Sequence, residues 1–133
     1  MTAVVLDASA LLAYLHDESG AEVVEDALSA GGLISAANWA EVLSKFADEG
    51  EDPNAIARRL ESQGLIGQVV EVVALADSDA VAIAELRPIT KPAGLSLGDR
   101  ACLALGVSSG ARVVTADRAW ADLDLDIDVH TIR

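Results

Sequence analysis

The chain has 133 residues, a length that fits one domain with a hydrophobic core of its own. Hydrophobic residues make up 52% of it and charged residues 23%, which excludes a disordered polyelectrolyte. The formal net charge is −13, from 22 Asp and Glu against 9 Lys and Arg. That balance alone disfavours a nucleic-acid partner, because phosphate binding normally shows as a basic excess.

Membrane insertion, secretion and thiolate metal sites are disfavoured as well. The longest uncharged run, residues 27–40, has 14 residues, whereas a spanning helix needs about 20. The N-terminus has no basic stretch and carries an acid at Asp7, so we expect no signal peptide and a cytoplasmic location. The single cysteine, Cys102, excludes an internal disulfide and a multi-cysteine zinc site. We expect it to be a small buried apolar residue.

In the first half of the chain, short β-branched runs alternate with segments of helical period. Thr2–Leu6 is a compact β-branched run without polar alternation, as expected for a strand covered on both faces. Ala21–Leu28 predicts a helix that stops at two glycines, and Gly32–Ser35 predicts a second strand. A helix carrying Glu41 follows. Asp52 then predicts an N-cap with proline at the first helical position, and this helix is expected to end at Gly64.

The second half continues the alternation. Val69–Leu75 and Arg112–Thr115 predict strands, and Asp77–Leu86 and Ser96–Leu105 predict helices. Leu86–Gly94 contains two prolines and is expected to be the most irregular connection and a mobile loop. Strands that alternate with helices imply right-handed crossovers, and hence a mainly parallel sheet with helices on both faces.

The C-terminal segment Asp122–Val129 has a strict period of two. One face is apolar and the other consists entirely of Asp. The pattern predicts a half-buried edge element whose solvated Asp face discourages edge-to-edge association. Since Asp is a poor strand former, we expect only the latter half to pair.

Four acids follow the predicted strands. Asp7 follows the first strand, Glu41 lies on the helix after the second, Asp99 lies in the first turn of its helix, and Asp117 follows the strand at Arg112–Thr115. We interpret each position as a junction between a strand and a helix. In an open parallel sheet these junctions gather at one edge, where ligands bind.

Each acid also has a simpler explanation. Asp99 forms a capping-box pattern with Ser96, and Asp117 is suited to cap a short helix at 118–121. Glu41 has Lys45 four residues further on, and Asp7 would serve as a turn residue. These explanations do not account for the placement of all four acids at one edge of the sheet, which would then be a coincidence. We therefore favour a shared site.

A shared site would have an electrostatic consequence. Two carboxylates ~4 Å apart repel by roughly 4 kcal/mol at an effective dielectric constant of 20. Either some of the acids are protonated or a divalent cation lies among them. Oxygen ligands without His or Cys favour Mg²⁺ or Mn²⁺ over zinc. Such a site has the donor set for metal-assisted phosphodiester hydrolysis.

Four motifs carry a family resemblance: residues 5–13 (VLDASALLA), 38–42 (NWAEV), 96–104 (SLGDRACLA) and 115–120 (TADRAW). In this order they resemble the PIN domain, specifically the VapC toxins of type II toxin–antitoxin systems, and the likeness spans residues 1–133 as a single domain. The resemblance implies a three-layer α/β/α fold with a mainly parallel sheet of about five strands. It also implies a Mg²⁺-dependent endoribonuclease that leaves a 5′-phosphate, is inhibited by a cognate antitoxin and is usually dimeric.

The resemblance also implies roles for individual residues. Asp7 and Asp99 match the family's principal metal ligands, and Glu41 matches the acid that completes the cluster. Asp117 matches a fourth acid that often acts through water or a second metal. Three further polar positions match residues that support the site: Ser9, Asn38 and Thr115.

Alternatives remain for the function. A Mg²⁺-binding signalling module of the receiver type also uses acids at strand ends, but it normally has adjacent acids after the first strand and a lysine after a later one. Here Asp7 stands alone. A non-toxin PIN-type nuclease, a phosphatase or a DNA-directed nuclease would use the same metal site.

Several other residues carry a second interpretation. Arg100 and Arg118, each beside a site acid, would contact phosphate or pair with local acids, and both options stay open. Trp39 and Trp120 would stack on bases, although packing around the site is favoured. The two histidines lie far apart and are expected to be surface or packing residues: His16 and His130.

Overall fold

Five short strands and seven helices make up the computed structural model, which describes residues 3–133. The strands are β1 (Val4–Leu6), β2 (Gly32–Ser35), β3 (Val70–Val73), β4 (Val113–Thr115) and β5 (Val129–Thr131). The helices are α1 (Ala8–Leu15), α2 (Ala21–Ala27), α3 (Ala36–Asp48), α4 (Pro53–Ser62), α5 (Asp77–Glu85), α6 (Arg87–Thr90) and α7 (Leu97–Ser109). Two 3-10 turns occupy Leu28–Ala30 and Arg118–Asp122. Within residues 3–133, no helix has the length and apolar character needed to cross a membrane.

All strand pairs are parallel, and the sheet has the order β3-β2-β1-β4-β5. The strand order changes direction at β1, which lies between β2 and β4. In open α/β sheets the crevice at such a reversal, at the carboxyl ends of the strands, is the usual ligand site. The topology therefore places the most favourable position for a site between the ends of β1 and β4.

The central position of β1 explains why its sequence is apolar throughout. Successive side chains of a strand point to opposite faces. Val4 and Leu6 belong to the core beneath α1 to α4, and Val5 belongs to the core beneath α5 and α7. Helices thus cover both faces of the sheet, and the prediction of a three-layer α/β/α fold is confirmed.

Most predicted boundaries are confirmed to within a few residues. Asp52 caps α4 by accepting a hydrogen bond from the Asn54 amide (3.0 Å), with Pro53 at the first helical position. The second strand has the predicted bounds. The first begins at Val4, and Thr2 lies outside the described residues.

Two predictions around α7 were wrong. The predicted helix ended at Leu105, before Gly106, but α7 continues to Ser109 and is capped by Gly110 in the left-handed region (φ 66°). Gly106 is a packing residue, because a Cβ there would lie 2.5 Å from Cγ2 of Val113 on β4. The segment predicted to be irregular, Leu86–Gly94, contains α6. Its mobility stays a prediction.

The C-terminal segment keeps its period of two without forming a regular strand. The four apolar side chains are half-buried against the second core, whereas the Asp side chains between them are exposed: Leu123, Leu125, Ile127 and Val129 against Asp124, Asp126 and Asp128. Pairing begins only at Val129, as expected for an Asp-rich segment.

Candidate acidic site at the carboxyl edge of the sheet

Asp7 lies directly after β1 and is also the N-cap of α1. Its side chain is almost fully buried, with 4% exposed. Oδ1 accepts a hydrogen bond from the Ala10 amide (2.8 Å), and Oδ2 accepts one from the Thr115 hydroxyl (2.6 Å). The Ser9 hydroxyl, 2.8 Å from either oxygen, also donates to the carboxylate. The carboxylate is therefore held at the reversal point between β1 and β4.

Two hydroxyl groups connect the ends of these strands. The Ser9 hydroxyl accepts a hydrogen bond from the Ala116 amide (2.9 Å) while it donates to Asp7. The Thr115 hydroxyl accepts one from the Asp117 amide (3.0 Å) while it donates to Asp7. Each hydroxyl uses both its donor and its acceptor capacity, so the side chain of Asp7 has little freedom to rotate.

Asn38 and Glu41 lie three residues apart on α3 and therefore share one face of it. The Asn38 side chain is 1% exposed, and its amide donates to Glu41 Oε1 (2.9 Å) and to the Gly98 carbonyl (2.9 Å). Within residues 3–133, Glu41 forms no ion pair with Lys45. The simpler explanation for Glu41 is therefore wrong, and Asn38 is its partner.

Asp99 lies in the first turn of α7 and forms the predicted capping box. Its Oδ2 accepts from the Ser96 amide (2.9 Å), and its own amide donates to the Ser96 hydroxyl (3.1 Å). The interpretation as a strand–helix junction was wrong for Asp99, because α7 follows α6 and a turn. Asp99 reaches the same edge because α7 runs antiparallel to the strands, with Gly98 beside Asn38 and Gly106 beside Val113.

Asp117 stands apart from the other three acids. It follows β4 and caps the 3-10 turn Arg118–Asp122, with Oδ1 accepting from the Ala119 amide (3.0 Å). Its side chain is exposed, and its connection to Asp7 runs through the Thr115 hydroxyl. The structure thus brings Asp7, Glu41 and Asp99 together and leaves the Asp117 carboxylate at the rim.

The electrostatics of the site show that the Asp99 charge acts on both Asp7 and Glu41. Burial raises the pKa of Asp7 from 3.8 to about 6, with a smaller contribution from the Asp99 charge, against hydrogen bonds that lower it. The pKa of Glu41 is also raised, by burial and then by Asp99, against the Asn38 bond. Beneath them, burial raises the pKa of the Cys102 thiol, and all three acids add to this effect. Cys102 is fully buried, as predicted.

The donor chemistry fits a hard divalent cation. All donors are oxygens, and no Lys, Arg or His side chain within residues 3–133 pairs with any of the four acids. The Oδ1 of Asn38 is buried without a hydrogen-bond partner in the described chain. As placed, however, no three Asp, Glu, His or Cys side chains of residues 3–133 are close enough to enclose an ion. The four-acid metal cluster therefore stays a prediction.

The remaining singled-out residues mostly have structural contacts. Arg100 donates to the Ile83 carbonyl (3.1 Å) and Arg118 to the Arg133 carbonyl (2.8 Å). Neither arginine forms an ion pair within residues 3–133, and contact with phosphate stays a prediction. The expected packing positions are confirmed for Trp120, which is fully buried, and for Trp39, which is half-buried against the first core.

The two histidines lie outside the acidic site. His16 packs against the Phe46 ring (centroids 5.1 Å apart), with Nε2 3.3 Å from Glu49 Oε1. His130 is half-buried on β5. Both are surface or packing residues, as expected.

Gly98 is a residue of the site to which the sequence prediction gave no role. Its carbonyl accepts from Asn38, and its Cα lies against the Glu41 carboxylate. The available signal was a glycine in the first turn of a helix, directly before an acid, where glycine is unfavourable on propensity alone.

Comparisons with known proteins agree with this topology. The sequence matches the PIN domain family over residues 4–125. A toxin–antitoxin complex from Klebsiella pneumoniae has a chain with a TM-score of 0.74 at 17% identity, covering 98% of either chain. DNA-bound VapBC from Salmonella typhimurium gives 0.70 at 14% identity over 100% of either chain. FitAcB from Neisseria gonorrhoeae gives 0.72 at 20% identity over 97% of either chain. No curated protein matches the sequence.

Proposed function

Because this chain belongs to the PIN domain family, we propose that it is a Mg²⁺-dependent endoribonuclease and the toxin of a type II toxin–antitoxin pair. One observation carries the chemical part of this proposal. The buried carboxylate of Asp7 and the exposed carboxylate of Glu41 both lie near the half-buried Asp99 at the carboxyl edge, and the Asp99 charge raises the cost of ionising each of them. A divalent cation would relieve this cost.

In the proposed mechanism, the acids hold the metal and orient the attacking water. Asp7, Glu41 and Asp99 would be the ligands, and Asp117 would act from the rim through water or a second ion. When bound, Mg²⁺ or Mn²⁺ lowers the pKa of the attacking water and neutralises the phosphate. The water would attack phosphorus and lose a proton, the bond to the 3′ oxygen would break, and that oxygen would take up a proton, leaving a 5′-phosphate on one product and a 3′-hydroxyl on the other.

Supporting residues have separate tasks. Ser9 and Thr115 hold Asp7 in one orientation through the hydroxyl bonds that connect β1 and β4. Asn38 holds Glu41 through its amide. Such outer contacts typically contribute about 10- to 100-fold to metal affinity or activity.

The proposed partners are RNA, a cognate antitoxin and a second copy of this chain. The antitoxin proposal is supported by the fold shared with chains from toxin–antitoxin complexes. It is also supported by the net charge of −13, which would attract a basic antitoxin segment. Inhibition by that segment would weaken as salt is raised.

The same site would also serve a PIN-type nuclease that is not a toxin, or a phosphatase. The receiver-like alternative has lost its support, because receiver domains have the strand order 2-1-3-4-5, whereas this sheet has the order β3-β2-β1-β4-β5.

Cleavage assays test the proposal. The purified protein should cut single-stranded RNA with Mg²⁺ or Mn²⁺ and stop when EDTA is added. It should leave single-stranded DNA and p-nitrophenyl phosphate intact. Asp7→Ala and Asp99→Ala should abolish cleavage while circular dichroism shows a folded protein, and Asp124→Ala, an exposed acid outside the site, should cut normally. Equal cleavage by the first two variants would point to a contaminating nuclease and overturn the proposal.

A further inference from the structure

Gly98 and Glu41 approach each other more closely than a side chain at position 98 would allow with Glu41 in its present conformation. Gly98 is the second residue of α7, and Glu41 belongs to α3. A Cβ built on Gly98 would lie 2.8 Å from Cδ of Glu41 and would overlap its Oε1, whereas real Cβ contacts essentially never fall below 3.0 Å. The carboxylate of Glu41 therefore occupies the space that a side chain at 98 would fill.

Asn38 contacts both Glu41 and Gly98 through its side-chain amide. One amide group donates both to Glu41 Oε1 (2.9 Å) and to the Gly98 carbonyl (2.9 Å). Because Asn38 is buried, the amide has little alternative to these two acceptors. The Glu41 carboxylate is thus held between the Asn38 amide and the bare Cα of Gly98, in the turn that also carries Asp99.

Helix propensity offers no reason for glycine at this position. Glycine is less favourable than alanine inside a helix because it loses more conformational freedom on folding. Gly98 has no positive φ angle that would require glycine. The close approach of Glu41 is the feature that accounts for it.

We propose that Gly98 is a positioning residue that sets the place of the Glu41 carboxylate beside Asp99. The activity readout of this inference rests on the proposed nuclease function, whereas the contact between Gly98 and Glu41 does not. A purely structural role, such as close packing of α7 against α3, would not depend on the Glu41 side chain.

A double-variant cycle tests the contact without metal or substrate. Gly98→Ala, Glu41→Ala and the double variant are compared with the unmodified protein by thermal unfolding in EDTA. Gly98→Ala alone should lower the melting temperature, because Glu41, whose side chain is exposed and flexible, must leave the Asn38 amide to make room for the new Cβ. In the Glu41→Ala background the same change should raise it, since the collision is gone and alanine is the better helix former. Leu97→Ala, at the neighbouring position and 66% exposed, should shift the melting temperature equally in both backgrounds.

The cycle remains decisive if Gly98→Ala alone does not fold. Recovery of a cooperative transition in the double variant would then support the inference. If neither Gly98→Ala nor the double variant folds, the inference is overturned, because the new Cβ must then collide with a group other than Glu41. Equal shifts for Gly98→Ala in the two backgrounds would also overturn it.

Isothermal titration calorimetry with Mn²⁺ measures the effect of Gly98 on metal binding at the site. Gly98→Ala should weaken Mn²⁺ binding by about tenfold or more, with Leu97→Ala unchanged. If the unmodified protein binds no Mn²⁺ and cuts no RNA, the proposed function fails, while the unfolding cycle still decides the role of Gly98. Unchanged Mn²⁺ binding in a Gly98→Ala variant, measured against a binding parent, would overturn the positioning role.

Discussion

Replacing Asp7 with asparagine should make the metal-free protein more stable at neutral pH. The Asp7 carboxylate is buried after β1, and burial is the largest cause of its raised pKa. Asparagine has nearly the same shape and no charge, and its oxygen can still accept from the Ala10 amide. The substitution therefore removes a buried charge and retains the N-cap of α1.

The magnitude follows from the pKa values. A shift from 3.8 to about 6 corresponds to roughly 3 kcal/mol between the two protonation states. Because the pKa is raised in the folded state, the native protein retains the proton more strongly than the unfolded chain. The associated stabilisation is present below about pH 4 and is lost as the pH rises through about 6. At pH 7, Asp7→Asn should recover up to roughly 3 kcal/mol, less any cost of reorienting the Thr115 hydroxyl.

Urea unfolding in EDTA at pH 7 and pH 4 measures this difference. Asp7→Asn should be more stable than the unmodified protein at pH 7 and within about 1 kcal/mol of it at pH 4. Asp124→Asn, on an exposed acid, should be neutral at both values. Added Mn²⁺ should stabilise the unmodified protein and not the Asp7→Asn variant, since binding to the native state raises its stability.

Two outcomes would refute the reasoning. A variant that is less stable than the unmodified protein at pH 7 would show that the hydrogen bonds of the charged carboxylate outweigh its burial. An equal gain at pH 4 and pH 7 would show that the effect does not come from charge.

Three further substitutions have expected outcomes. Thr115→Val removes a hydrogen-bond donor to Asp7, so it should lower the free energy of unfolding in urea by about 1–3 kcal/mol. It should also raise the pKa of Asp7 further, as measured by unfolding at a series of pH values, and an unchanged pH profile would contradict this. Asn38→Leu should reduce Mn²⁺ affinity by about 10- to 100-fold in calorimetry, and retained affinity would show that Glu41 needs no partner. Arg112→Ala breaks an exposed pair with Asp128 (2.9 Å) and should cost at most about 1 kcal/mol in the same urea assay; a larger loss would mean that the pair anchors β5.

The caps and the central strands were predictable because their causes are local. Asp52 before Pro53 starts α4 by its own side chain, and an apolar β-branched run such as Val4–Leu6 suits a strand that is buried on both faces. The segment before β5 kept its predicted burial pattern for a similar reason, since alternation alone decides which side chains face the core.

Errors occurred where a distant element decided the outcome. The predicted helix stopped at Leu105, whereas α7 continues past Gly106, which lies where α7 passes Val113 on β4. Glu41 had a suitable local partner in Lys45, yet the position of α7 and the amide of Asn38 determine where its carboxylate lies. A single sequence does not show where α7 lies relative to α3.

For the acids, the simple and the functional explanations are not exclusive. Asp99 belongs to a capping box and Asp117 caps a helical turn, as the simpler explanations expected, and Asp7, expected there as a turn residue, is also a helix cap. Capping explains why an acid stands at each position, but it does not bring separate helix starts to one edge. The topology of the parallel sheet brings these helix starts to one edge. The sequence indicated that topology only through the alternation of strands and helices.

The place of β1 in the sheet has a consequence for the newly made chain. Asp7 is translated early, but β4 and the Thr115 hydroxyl that holds its carboxylate come about a hundred residues later. At the usual 5–20 residues per second, a ribosome needs about 5–20 s to cover that distance. Until Asp99 is made Asp7 lacks that neighbour, and throughout the interval it lacks Thr115, so the acidic edge is incomplete. The acidic edge is therefore completed only when the chain is almost fully translated.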